Sequence, residues 1–233
     1  MQARCTLVTT YQMFTILALN SLLQAYSLSV LYVAGVKFGD VQMTLPAFLI
    51  TGCFMSISHV KPLEKLSPER PPGRLFTVRI FLSILTQFAI HMASLLYITD
   101  LARSFMPADL PADLDGKFAP SLLNSTVFLL SLSMQVTTFL ANFQGPPFMQ
   151  PLHQSKHLLV SITLTLFFVF LLATELLPGL NDIFEIVHFP PAFKTQLLAV
   201  LAGDLILCVS TESAFRFVRR LIFRPHSARS NTF

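Results

Sequence analysis

The stretch from Arg4 to Lys37, RCTLVTTYQMFTILALNSLLQAYSLSVLYVAGVK, decides the fold class. Between those two basic residues run 32 positions without a formal charge. A hydrocarbon core about 30 Å thick is crossed by about 20 apolar residues wound as a helix, so the run is long enough to span a bilayer. Its polar residues, Thr9, Gln12, Asn20, Gln24 and Ser27, recur at helical spacing and form one stripe. An amide at bilayer depth must find a hydrogen-bond partner. The stripe therefore faces other helices or a wet cavity, never lipid. Two readings stand side by side: interhelical hydrogen bonding, and the lining of a transport or substrate cavity.

Outward from this run the pattern repeats. Charge-free intervals separate Asp40 from Lys61, Arg79 from Asp100, Lys117 from Lys156, Lys156 from Glu175 and, apart from Asp204, Lys194 from Glu212. They predict six helical spans, at 13–33, 41–58, 75–98, 121–143, 157–176 and 193–215. The Lys117–Lys156 interval has room for two spans, but Gln144-Gly145-Pro146-Pro147 breaks any helix there, leaving one span and a loop. Period-two alternation is absent, which excludes a β-barrel. The composition agrees. Only 12% of the residues are charged and 53% are apolar, and the mean hydropathy is +0.64. Soluble domains carry about 25% charge, so a water-soluble globule and a disordered chain are both excluded. Three cysteines in 233 residues exclude a disulfide scaffold. Residues 1–4 lead straight into an apolar run, so no secretory signal is expected.

The charges fall asymmetrically. The N-terminus, the connections after spans two and four, and the C-terminal tail hold Arg4, Lys61, Lys65, Arg70, Arg74, Arg79, Lys156, Arg216, Arg219, Arg220, Arg224 and Arg229, 12 of the 16 basic residues. The opposite connections hold eight acids, Asp40, Asp100, Asp109, Asp113, Asp115, Glu175, Asp182 and Glu185. Positive residues stay on the cytoplasmic side, so both termini are expected in the cytoplasm. The net charge of +4 is then a topological signature, and no nucleic-acid partner is expected.

Further motifs each carry two readings. Span four repeats the polar pattern with Asn124, Ser131, Gln135, Thr138 and Asn142, and interhelical hydrogen bonding is the expectation there. Asn124-Ser125-Thr126 matches a glycosylation sequon but begins a span, so it is expected to stay unmodified. Asp204 is the one acid well inside a span, and intramembrane acids are functional by default or else hydrogen-bonded at a helix interface. Gln87 and His91 stand at i, i+4 and could share a ligand, though two ligands do not make a metal site. His153 and His157 repeat that spacing near a loop and read as structural. Pro46 frees backbone groups inside span two and is expected to kink it. Cys5, Cys53 and Cys208 read as small apolar residues. No phosphate-binding glycine loop, aspartyl-phosphate sequence or metal cluster is visible, and no internal repeat.

Several stretches, taken together, resemble the C-terminal membrane region of eukaryotic type-V P-type ATPases, subfamily A. They are Arg4-Cys5-Thr6-Leu7-Val8-Thr9-Thr10, Gln12-Met13-Phe14, Ile16-Leu17-Ala18-Leu19-Asn20, Ser29-Val30-Leu31-Tyr32, Gly35-Val36-Lys37-Phe38, Lys61-Pro62-Leu63, Pro120-Ser121-Leu122, Asn124-Ser125-Thr126-Val127 and Gly145-Pro146-Pro147-Phe148-Met149. From about His157 the match lies in hydropathy and spacing. The resemblance implies an all-α integral membrane fold whose six helices correspond to helices five to ten of the P-type ATPase membrane domain. It implies a helix pair at 1–60, a cytoplasmic basic loop at 61–74, a four-helix support region at 75–215 and an Arg-rich cytoplasmic tail at 216–233. It implies a multi-pass protein of the endoplasmic reticulum membrane that extracts mis-inserted transmembrane helices, a family formerly read as cation transporters. ATP and Mg²⁺ serve the full-length family, with no cofactor expected on this chain. The phosphorylation and nucleotide domains would lie upstream, so the chain reads as a fragment, a truncated gene model or a degenerate product. The expected partners are the bilayer, a transmembrane-helix polypeptide and the missing N-terminal ATPase domains. Asp40, Gln42 and Thr44 match the lumenal mouth of the family's substrate cavity. Gln12, Asn20 and Gln24 lean toward a coupling or cavity role, and Asp204 toward structure. Pro46 departs from the family pattern and puts the shape of that helix in doubt. The alternative is a stand-alone six-span scaffold or channel-like protein without ATPase activity.

Overall fold

The computed structural model describes residues 2–63, 71, 77–106 and 118–222, with side chains through 218. Among these residues seven helices follow in order: α1 (Gln2–Val33), α2 (Asp40–Ser58), α3 (Val78–Ser104), α4 (Leu122–Asn142), α5 (Lys156–Thr174), α6 (Pro178–Ile183) and α7 (Pro191–Ile222). A single 3₁₀ turn, Leu152–Gln154, precedes α5. All but α6 are long and apolar enough to cross a membrane. Among the described residues there is no strand, only an isolated bridge between Pro62 and Met149. The protein is all-α and membrane-spanning. The basic connection at 61–74 (apart from 61–63 and 71), the acidic one at 107–117 and the tail beyond 222 lie outside the described residues.

The helices differ from the predicted spans mainly at their ends. α1 starts at Gln2 and not at 13, because nothing between Gln2 and Val33 interrupts a helix. It stops at a glycine: Gly35 has φ 68°, and the Val36 amide donates to Leu31 O at 3.0 Å. That closure needs a left-handed residue, which glycine adopts without a Cβ clash. α3 starts at Val78 because Thr77 Oγ1 accepts from the Ile80 amide at 3.4 Å. It continues past Asp100 and Arg103, a solvent-exposed i, i+3 pair 4.0 Å apart. Pro46 leaves α2 a single continuous helix. α4 ends where expected, ahead of Gly145 and the cis Pro146–Pro147 bond.

The organising element is α4. Of its 21 residues all but Leu140 are buried, because α1, α2, α3, α5 and α7 all pack around it. Every other long helix buries one stripe and leaves apolar side chains outward, such as Phe14 on α1, Phe48 on α2, Phe81 on α3, Phe167 on α5 and Phe217 on α7. In water such exposure would be untenable; facing acyl chains it is ordinary. Hydrogen-bonded and neighbouring side-chain pairs fix the register. Ser27 meets Ser131 and Asn20 meets Thr138, so α1 and α4 run antiparallel. Ser56 meets Ser161 and His59 lies by His157, so α2 and α5 do too. Ser83 meets Glu212 and His91 meets Asp204, which sets α3 against α7 in the same sense.

Candidate functional site

Two buried polar seams run through the bundle. The first joins α1 to α4. Ser131 Oγ donates to Ser27 Oγ at 2.7 Å, Gln135 Nε2 to Gln24 Oε1 at 3.1 Å, and Thr138 Oγ1 to Asn20 Oδ1 at 2.7 Å. At the seam's end the Gln144 amide donates to Gln12 Oε1 at 2.9 Å. The polar stripes predicted on spans one and four therefore face each other. Gln12 and Asn20 are buried, and Gln24 is partly buried.

The second seam joins α3 to α7. Ser83, Gln87 and His91 step by four along α3, and Asp204, Cys208 and Glu212 step by four along α7. Four-residue spacing keeps each set on one helix face. His91 Nδ1 lies 2.9 Å from both Asp204 oxygens, and Cys208 Sγ lies 3.5 Å from His91 Nε2. All three residues are buried, with at most 2% exposure. They offer nitrogen, oxygen and sulfur donors within 4.8 Å of one another, the one such group among the described residues. Gln87 takes a different partner from its neighbour His91. It pairs with Asn142 of α4 through two amide bonds, Asn142 Nδ2 to Gln87 Oε1 at 2.8 Å and Gln87 Nε2 to Asn142 Oδ1 at 3.2 Å. The two side chains whose spacing would have let them share a ligand are thus committed to different helices.

The seams converge where α4 ends. Ser83 Oγ donates to Glu212 Oε2 at 2.5 Å, while Arg79 and Arg216 approach Glu212 Oε1 at 3.4 and 3.5 Å. Arg216 also donates to Phe143 O at 2.8 Å and to Ala141 O, so α7 supplies the cap for the last carbonyls of α4.

At the opposite end Asp40 and Thr44 are exposed on the first turns of α2, and Thr44 Oγ1 donates to Asp40 O at 2.7 Å. Gln42 points inward, with Nε2 donating to Phe184 O at 2.9 Å and Oε1 accepting from the Gly39 amide at 3.3 Å. The three predicted mouth residues share one stretch of helix but only two face outward. Asn124 of the sequon is fully buried, its Nδ2 donating to Lys37 O at 2.7 Å. Glu175, in a left-handed conformation at the end of α5, gathers Lys194 Nζ at 3.0 Å, His188 Nδ1 at 2.7 Å and the Phe189 amide at 2.6 Å. Partial burial pushes its carboxyl up, but the Phe189 amide and the Lys194 and His188 side chains outweigh that and hold it below the usual carboxylate range.

No protein-family model matches the chain. Individual proteins do. Over 93% of its length the chain is 45% identical to an endoplasmic reticulum transmembrane helix translocase of Saccharomyces cerevisiae. Over 92% it is 44% identical to the translocase of the same name from Aspergillus fumigatus. The chain belongs to the type-V P-type ATPases, subfamily A. It is also 40% identical over 93% of its length to a probable manganese-transporting ATPase of Arabidopsis thaliana. It spans 16–18% of the length of these curated relatives. The six apolar helices make this stretch of the type-V ATPase a piece of its membrane domain.

Reading this ATPase segment as sequence alone missed Arg79, Glu212 and Arg216, which entered only as counts of charge. The signal was present. Asp204, Cys208 and Glu212 continue the buried spacing of Phe193, Leu197 and Leu201 on α7, which marks all six as one inward face.

Proposed function

We propose that this segment is the membrane-embedded support of an ATP-driven P-type translocase that extracts mis-inserted transmembrane helices from the endoplasmic reticulum membrane. One observation carries this reading: 44–45% identity, over nearly the whole chain, to two fungal proteins of that name. ATP hydrolysis, with Mg²⁺ and an aspartyl phosphate, belongs to other parts of such a protein, and these helices transmit its strokes. Both termini face the cytoplasm, which follows from the basic residues at that end. Gln12, Asn20 and Gln24 serve coupling, since each is hydrogen-bonded to α4 or the residue pair following it and would carry a tilt of α1 into the bundle. Asp40 and Thr44 stand at the lumenal mouth open to a passing polypeptide, and Gln42 anchors the helix that presents them.

The Arabidopsis relative is named for manganese. His91, Asp204 and Cys208 combine one carboxylate with imidazole and thiol, a softer donor set than Mn²⁺ prefers, so the cluster lends that reading no support.

The test is a transplant. Residues 1–233 replace the matching region of the yeast translocase, and clearance of a mistargeted transmembrane reporter from the endoplasmic reticulum is followed in cells. Restored clearance is expected. A chimera that is stable and correctly inserted yet clears nothing contradicts the proposal.

A further inference from the structure

Where the two seams converge, the bundle forms a partly open pocket with room of about 20 Å³. Its walls include Gln12 of α1, Arg79 and Ser83 of α3, Asn142 and Gln144 at the end of α4, and Glu212 of α7. One water needs about 10–15 Å³ of such volume and two to four polar partners. Both conditions are met, whereas apolar cavities of this kind stay dry.

The bonds around the cavity say where that water binds. Glu212 is 4% exposed, and a buried carboxylate is costly unless its oxygens are well hydrogen-bonded. Oε2 has a short bond from Ser83 at 2.5 Å, but the guanidinium groups reach Oε1 only at 3.4 and 3.5 Å. Charge-assisted contacts of this kind usually close to about 2.7–2.9 Å. Oε1 thus keeps acceptor capacity on the cavity wall. On the same lining, Gln12 spends its carbonyl oxygen on the Gln144 amide, and its Nε2 meets a thioether, Met149 Sδ, at 3.7 Å. A thioether is a weak acceptor. A strong donor and a strong acceptor therefore both line a space of about one water's size.

We infer that this cavity is a structural water site, in which one water accepts from Gln12 Nε2 and donates to Glu212 Oε1. The water joins α1 to the Arg79–Glu212–Arg216 cluster and makes Gln12 a positioning residue for that cluster. The site depends on neither translocase activity nor the proposed orientation.

A high-resolution cryo-electron-microscopy map of the full-length protein in lipid nanodiscs tests it, with Gln12→Met as the comparison. The expected wild-type result is a single density peak about 2.7–3.2 Å from both Gln12 Nε2 and Glu212 Oε1, lost in Gln12→Met. Two results overturn it: no peak in a map that shows other buried waters, or a peak ringed by oxygens at about 2.3–2.6 Å, the signature of a bound cation. The wild-type map decides alone, so a variant that fails to fold leaves the test intact.

Discussion

His91 and Asp204 are each buried to 2% exposure or less and are each other's main polar partner. Removing one strands the other in a medium that cannot solvate it. His91→Ala is expected to destabilise the bundle by about 3–5 kcal/mol, while the double change to leucines costs far less, because no polar group is then left behind. Reversible unfolding in mixed micelles measures both. A single variant as stable as wild type would show that the pair carries nothing. On the first seam, an Asn20→Ala, Thr138→Val double-mutant cycle should return a coupling of about 0.6–2 kcal/mol, the range for hydrogen bonds between membrane helices. Additive effects would mean the 2.7 Å contact is energetically idle. The stripe on α1 was legible in the sequence because amides have no place in lipid. Its partner stripe was legible too, but not their pairing, since spacing gives a face and never says which face it meets.

At the scale of the helix, α4 is the element the sequence hid. The apolar side chains around a spanning helix read the same whether protein or acyl chains surround them. Beyond the polar stripe already read there, the hint was its share of small polar residues, Ser125, Thr126, Ser131, Ser133, Thr137 and Thr138, which favour helix–helix contact. Centrality makes a prediction. Leu129→Ala in α4, fully buried, should cost about 2–5 kcal/mol, and Phe48→Ala on α2, 72% exposed, less than about 1 kcal/mol. Equal losses in the micelle assay would mean α4 is not the inner column. The α5–α7 junction makes another. Glu175 titrates lower in the folded protein than in the unfolded chain. Its contribution is therefore complete above the unfolded carboxylate value of about 4.3 and is lost as pH falls through the lower folded value. Melting curves between pH 3 and 7 should show an acid-side loss that is shallower in Glu175→Gln. An unchanged slope would remove Glu175 from the junction. The short helix α6 was illegible because six residues are too few to set a period.

For the molecule as a whole, three antiparallel helix pairs accord with six alternating passes, for which the sequence expects the basic residues on one side. Cys5, Cys53 and Cys208 are all buried, so an introduced cysteine reports with little background. The most direct measurement is maleimide labelling of Ser67→Cys and Ala112→Cys in sealed endoplasmic-reticulum vesicles. Position 67 is expected to react from the cytosolic side at once, and position 112 only after the membrane is opened. Labelling of both from the same side would contradict the six-pass map.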